Sequence, residues 1–244
     1  MKKIFAFLFL ILVSPSVLAD RQHITYEVNG ESYEGYYTTP KDNAPLVLLI
    51  HDWDGLTDYE VKRAEMLSEA GYSVFAADLF GAGVRPTEVI DKRQHTGELY
   101  KDREKMRTLL YGALEAAQSQ GANINNAVAI GYCFGGAAIL EMARAGADLK
   151  GFATFHGGLR TPPDQNYSKT KAPVLVFHGT ADTAITMDDF AKLAQELEQA
   201  KVPHEMISYG GAPHAFTVFG SDRYREVADK QSWQRLLKFL DETY

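Results

Sequence analysis

Cysteine is all but absent. One residue, Cys133, stands in a chain of 244, so no disulfide can close within the chain and no second thiol can resolve a mixed disulfide. A thiol redox role is disfavoured, and the core alone must supply stability. Cations are scarce relative to anions: 25 Lys and Arg face 32 Asp and Glu, a formal charge of −7. That balance disfavours a polyanionic partner such as nucleic acid. No HExxH or comparable ligand spacing marks a metal site. Repeats, low-complexity tracts and interdomain linkers are missing too, and no apolar run reaches the ~17 to 25 residues that span a bilayer.

What is there suits one globular α/β domain, with 45% apolar and 23% charged residues. Met1-Lys2-Lys3, the apolar run Ile4 to Val13, and Ser14 to Ala19 with Val17 and Ala19 at the cleavage positions form the three regions of a secretory signal. Cleavage is expected after Ala19, leaving residues 20–244 as one domain with 23 basic and 32 acidic residues, net −9. The expected location is outside the cytoplasm, in the periplasm, with no membrane attachment once the leader is gone and with the protein as monomer or homodimer.

Strands are expected over His23 to Val28 and Ser32 to Thr39, joined by Asn29-Gly30, a pair that favours a type I′ hairpin. From Leu46 onward short apolar runs alternate with helical stretches: Leu46 to Ile50, Ser73 to Ala77, Ala127 to Ile130, Gly151 to Phe155, Val174 to Phe177 and Glu205 to Tyr209. Apolar strands separated by helices predict a mostly parallel, eight-stranded sheet with an N-terminal antiparallel hairpin and helices on both faces. The 3.6-residue stripes Met106, Leu109, Leu110, Ala113, Leu114 and Ala117, then Phe190, Leu193, Ala194 and Leu197, then Trp233, Leu236, Leu237 and Leu240, read as core. Gly81 to Thr96 breaks the alternation and reads as a long excursion over the sheet's C-terminal edge, either solvated loop or substrate-contacting lid.

The chemistry concentrates at strand ends. Gly131-Tyr132-Cys133-Phe134-Gly135 follows an apolar strand and has the G-x-nucleophile-x-G form, in which small residues let the backbone pass close to a strained strand-to-helix turn. The seventh strand runs into His178-Gly179-Thr180-Ala181-Asp182 and the eighth into Gly211-Ala212-Pro213-His214. Nucleophile, acid and base thus occur in the order of an α/β-hydrolase. In that reading His214 takes the Cys133 proton and Asp182 orients the imidazole. Backbone N–H groups of Trp53, after the third strand, and Phe134, after the nucleophile, would form the oxyanion hole.

The segments HDWDG, AADLFG, GYCFGG, HGTAD and APHAF, in this order over roughly residues 25 to 242, resemble the dienelactone hydrolase family of α/β-hydrolases. The resemblance implies a carboxylic-ester hydrolase of the carboxymethylenebutenolidase type with a Cys133, Asp182 and His214 triad, acting without cofactor or metal on a small-molecule ester, lactone or thioester. It also implies a glutamate after the third strand that contacts the resting thiol; here Asp52 stands there, one methylene shorter, gating the thiol or bonding local backbone. The family's substrate-binding arginine shortly after the catalytic histidine has no counterpart before Arg223, which leaves Arg85 and Arg103 as candidates to bind substrate. Two other classes compete: a non-catalytic binding protein on a hydrolase fold, and a metal-assisted hydrolase drawing on His51, His156, His178 and His214.

Overall fold

The computed structural model describes residues 20–244, and the expected leader lies outside them. Strand β1 (Asp20–Val28) pairs antiparallel with β2 (Glu31–Thr39). Asn29 and Gly30 between them both have positive φ, 53° and 82°, as a type I′ turn requires. Strand β2 pairs antiparallel with β4 (Ser73–Ala77), and every later pairing is parallel, through β3 (Pro45–Ile50), β5 (Asn123–Tyr132), β6 (Gly151–Phe155), β7 (Val174–Gly179) and β8 (His204–Tyr209). The sheet order is β1-β2-β4-β3-β5-β6-β7-β8, the expected eight-stranded, mostly parallel sheet with its antiparallel hairpin at one edge.

Alternation along the strands splits the core in two. In β3, Leu46, Leu48 and Ile50 face a core shared with α3 (Arg103–Ser119), α4 (Phe134–Ala145) and α5 (Met187–Gln199). Val47 and Leu49 face the opposite core, closed by α1 (Asp58–Glu69) and α6 (Glu226–Thr243). Both faces of each central strand are dry, which is why these strands read as continuous apolar runs rather than alternating ones. The α3 stripe is buried throughout. In α6 the sequence stripe omits Phe239, which is buried beside Leu236 and Leu240, while Trp233 and Leu237 are only partly covered.

Two expectations need correction. Strand β5 starts at Asn123, four residues ahead of the apolar run, because Asn123 to Asn126 form a partly exposed lead-in whose register against β3 shifts between Pro45 and Leu46. The excursion after β4 is not all loop: its second half is α2 (Val89–Lys101). Only Thr96 and Leu99 of this helix are buried and Val89 and Ile90 lie exposed, so it shows no apolar stripe for sequence patterning to find.

Candidate active site

Strand β5 delivers Cys133 to the sheet's C-terminal edge at φ 50°, ψ −110°, outside the usual regions for a residue with a side chain. Such a conformation costs about 1–3 kcal/mol and survives only where its surroundings enforce it. They do so here from both sides. The Cys133 N–H donates to Phe155 O at 3.0 Å, and its carbonyl accepts from Ala137 and Gly158 N–H at 3.3 and 3.2 Å. A Cβ on Gly131 would collide with the Gly135 carbonyl, and one on Gly135 with the carbonyls of Ile50 and His51. The two glycines are therefore what lets α4 start against β3 and β5.

Three side chains from three strand ends meet at this turn. His214 Nε2 lies 3.0 Å from Cys133 Sγ, and its Nδ1 lies 2.7 Å from Asp182 Oδ2. The other Asp182 oxygen accepts the N–H groups of Ala184 and Ile185, each at 2.9 Å. Burial pushes the Asp182 carboxyl up, but the His214 bond and these amides outweigh it and hold it below the usual range. For His214 burial acts downward, yet the bonds to Asp182 and Cys133 win and push the imidazole up to about 10.

The other expected residues divide. The backbone N–H groups of Trp53 and Phe134 have no protein acceptor among the described residues, and that of Phe134 opens α4, where helix N–H groups lack intrahelical partners. Asp52 is buried beside the site, with its carboxylate accepting Asp54 N–H at 2.8 Å and making no hydrogen bond to the thiol. Burial raises it to about 6, against the pull of that bond. Arg85 is spent on structure: it binds the carbonyls of Leu56 and Val84 and pairs with Glu34 at 2.8 Å and Asp78 at 3.7 Å. Arg103 does reach the site's flank, lining a cavity of about 230 Å³ with Tyr100, Ala137, Gly158, Arg160 and Ile185. Its guanidinium lies over the Tyr100 ring at 4.8 Å, donates from Nε to Tyr100 O at 2.9 Å and pairs with Glu141 at 3.7 Å, so it too is partly engaged with protein.

Of the other histidines at strand ends, His51 and His156 are hydrogen-bonded to protein, and His178 is held by stacking, its ring nitrogens without a hydrogen-bond partner among the described residues. His51 accepts Leu79 N–H at Nε2, 3.0 Å, which leaves Nδ1 to donate to Asp52 O at 2.6 Å; burial lowers it to about 4, so it stays neutral. His156 Nε2 lies 2.8 Å from Thr217 Oγ1, and burial, with the nearby His214 charge, holds the ring well below its usual value. His178 stacks on Phe190 at 5.3 Å. Among the described residues no three His, Cys, Asp or Glu side chains converge as metal ligands.

Sequence reading missed several contributors. Helix α2 packs over the site, with Tyr100 against Phe134 at 5.5 Å and Lys92 bonded to Asp54 at 2.7 Å and set 5.3 Å from the Trp53 ring centre. Beneath, α1 buries Glu60 and Arg63 completely or nearly so. Glu60 accepts Thr57 N–H and Oγ–H at 2.9 and 2.7 Å and Asp52 N–H at 3.4 Å, tying together the turn that carries Trp53. The one available signal was the spacing Thr57-x-x-Glu60, a capping box; nothing in it tells of the second bond to Asp52.

Comparison with known proteins places the chain in a family. The pattern of the dienelactone hydrolase family matches residues 33–244. A protein of Salmonella typhimurium (strain LT2), provisionally named carboxymethylenebutenolidase, is 26% identical over 225 residues, 86% of this chain and 83% of the relative. The solved structure m3DLH is 28% identical, with a TM-score of 0.86 over 93% of this chain and 99% of that one. A dienelactone hydrolase-like promiscuous phosphotriesterase from metagenomic libraries is 27% identical, with a TM-score of 0.84 over 92% and 98% of the two chains. With the family pattern spanning nearly all the described residues, the chain belongs to the dienelactone hydrolase family of carboxylic-ester hydrolases.

Proposed function

We propose that this protein hydrolyses a small-molecule ester or lactone through an acyl-Cys133 intermediate. The observation that carries the reading is the continuous chain from Cys133 Sγ to His214 to Asp182, at 3.0 and 2.7 Å. The Cys133 thiolate attacks the carbonyl carbon, and the electron pair moves onto oxygen, where the N–H groups of Trp53 and Phe134 receive it. Collapse re-forms the carbonyl and breaks the carbon–oxygen bond as His214 Nε2 gives its proton to the departing alcohol; in a lactone that alcohol stays tethered to the acyl group. Water then loses a proton to His214, attacks the thioester, and returns the thiolate and the free acid. Asp182 keeps the ring oriented and steadies its charge in both halves.

Arg103 is the cation this reading assigns to the substrate side, since its cavity adjoins Ala137 and Gly158, the residues bonded to the Cys133 carbonyl. The lactone-directed name of the Salmonella relative supports lactones alongside open esters. The reading includes export to the periplasm with cleavage after Ala19, supported by the composition of residues 1–19. Intact-protein mass after mixing residues 20–244 with activated short-chain esters and lactones tests the chemistry. An acyl adduct or turnover in wild type that vanishes in Cys133→Ala is expected; turnover surviving in Cys133→Ala would sink it.

A further inference from the structure

His214 sits on a long irregular loop, residues 210–225, between β8 and α6. Three successive turn bonds, Val218 N–H to Ala215 O, Ser221 N–H to Val218 O and Tyr224 N–H to Ser221 O, shape the loop past His214, but they lie within it, and a general base must keep its nitrogen within a few tenths of an ångström of the thiol. Something outside the loop must fix it. The Arg225 N–H donates to Phe216 O at 2.9 Å and closes the loop on itself, which does not set its position against the sheet.

Two attachments do so: ahead of the base Ala181 N–H donates to Ala212 O at 3.0 Å and Gly211 N–H to Thr180 Oγ1 at 2.9 Å, and three residues past the base Thr217 is the second. It is fully buried. Its carbonyl accepts from Arg63 Nη2 at 2.8 Å, and its Oγ1 lies 2.6 Å from Tyr59 Oη and 2.8 Å from His156 Nε2. Arg63 and Tyr59 stand one turn apart on α1, and Arg63 is itself fixed by Asp229 of α6 and lies 4.2 Å from the Phe219 ring centre, in the same loop. On the other side, the His156 ring meets the His214 ring edge-on, centroids 5.4 Å apart. The Thr217 hydroxyl therefore joins the helix under the site to the ring beside the base.

We propose that Thr217, held by Tyr59 and Arg63 of α1 and bonded to His156, is a positioning residue for His214. It touches neither substrate nor thiol; it acts by fixing where the base stands. The inference rests on the Cys133–His214 reading above.

The test is Thr217→Val, which keeps the volume and deletes both hydroxyl bonds, beside Thr217→Ser, which keeps the hydroxyl. Both are compared with wild type and Cys133→Ala on one activated short-chain ester, well below each variant's melting temperature. Thr217→Val is expected to lower kcat about 10- to 100-fold with KM little changed, and to slow alkylation of Cys133 by iodoacetamide in parallel. Thr217→Ser should recover most of both. A merely structural role would lower the melting temperature and leave kcat and alkylation of the folded enzyme alone. Wild-type kcat and alkylation in Thr217→Val, with turnover still lost in Cys133→Ala, would overturn this inference and leave the cysteine reading standing. Turnover surviving in Cys133→Ala would overturn both.

Discussion

At the scale of single residues, the placement of one proton decides how the thiol is used. The His214 ring is pushed up to about 10 because, against burial, it is bonded to both Asp182 and Cys133. Both partners accept from the protonated ring and so favour it, and removing either must lower the value. The alkaline fall of kcat/KM is therefore expected near pH 10 in the wild type and at lower pH in Asp182→Asn. An amide there cannot carry the compensating charge and offers an N–H where the ring needs an acceptor, so kcat at neutral pH should drop about 10³- to 10⁴-fold. A pH–rate profile of the two proteins checks both points; an alkaline limb that does not move would mean that another group sets it. That Cys133, His214 and Asp182 come together was readable from sequence, because each follows a strand whose end lies on the same sheet edge. Thr217 was not readable. A threonine three residues past a histidine carries no pattern, and its partners Tyr59 and Arg63 lie more than 150 positions away.

Among elements, the strands were the legible part and α2 was not, for opposite physical reasons. A central strand buried on both faces must be apolar at every position, and its residues announce it. Helix α2 is held from its ends and flank instead: Lys92 pairs with Asp54 and lies by the Trp53 ring, the His95 ring stacks on Phe80 at 5.3 Å, and Tyr100 meets Phe134. Arg85 shows the same limit in reverse, a cation near the site by sequence whose side chain is consumed by Glu34, Asp78 and two carbonyls. A helix fastened over a site by few contacts belongs to the low-stability end of a structure. Lys92→Met removes an ion pair and a cation–π contact, together worth about 1–2 kcal/mol. Amide hydrogen exchange over residues 89–101 should quicken about tenfold, with β5 and α4 unchanged. Uniform protection across both proteins would show that α2 is held by its apolar contacts alone.

For the whole molecule, the buried carboxyls set how stability answers to pH. Burial, the largest cause in each case, holds Asp52 and Asp78 up at about 6 and Glu60 up at about 8, against ordinary values of 3.8, 3.8 and 4.5. Between the ordinary and folded values the folded chain binds protons that the unfolded chain has released, so stability falls as pH rises through that interval. His214, raised from 6.5 to about 10, extends the same trend, its contribution complete below 6.5 and lost as pH approaches 10. Asp182 and Glu141, held low, act the other way on acidification through the carboxylate range, and His51, His156 and His178, which burial holds below 6.5, act the other way up to that value, so the decline sets in above it. The melting temperature is therefore expected to be highest on the acid side of neutrality and to decline toward pH 8.5. Glu60 dominates the lower part of that decline, and Glu60→Gln mimics its protonated form at every pH. The variant's melting temperature should thus fall less steeply than wild type between pH 5 and 8.5, so that the difference between the two moves in the variant's favour as pH rises. Parallel curves would mean that Glu60 is already ionised in the folded protein at pH 5. The turn carrying Trp53 would then be tied by a carboxylate accepting three hydrogen bonds rather than by a neutral acid.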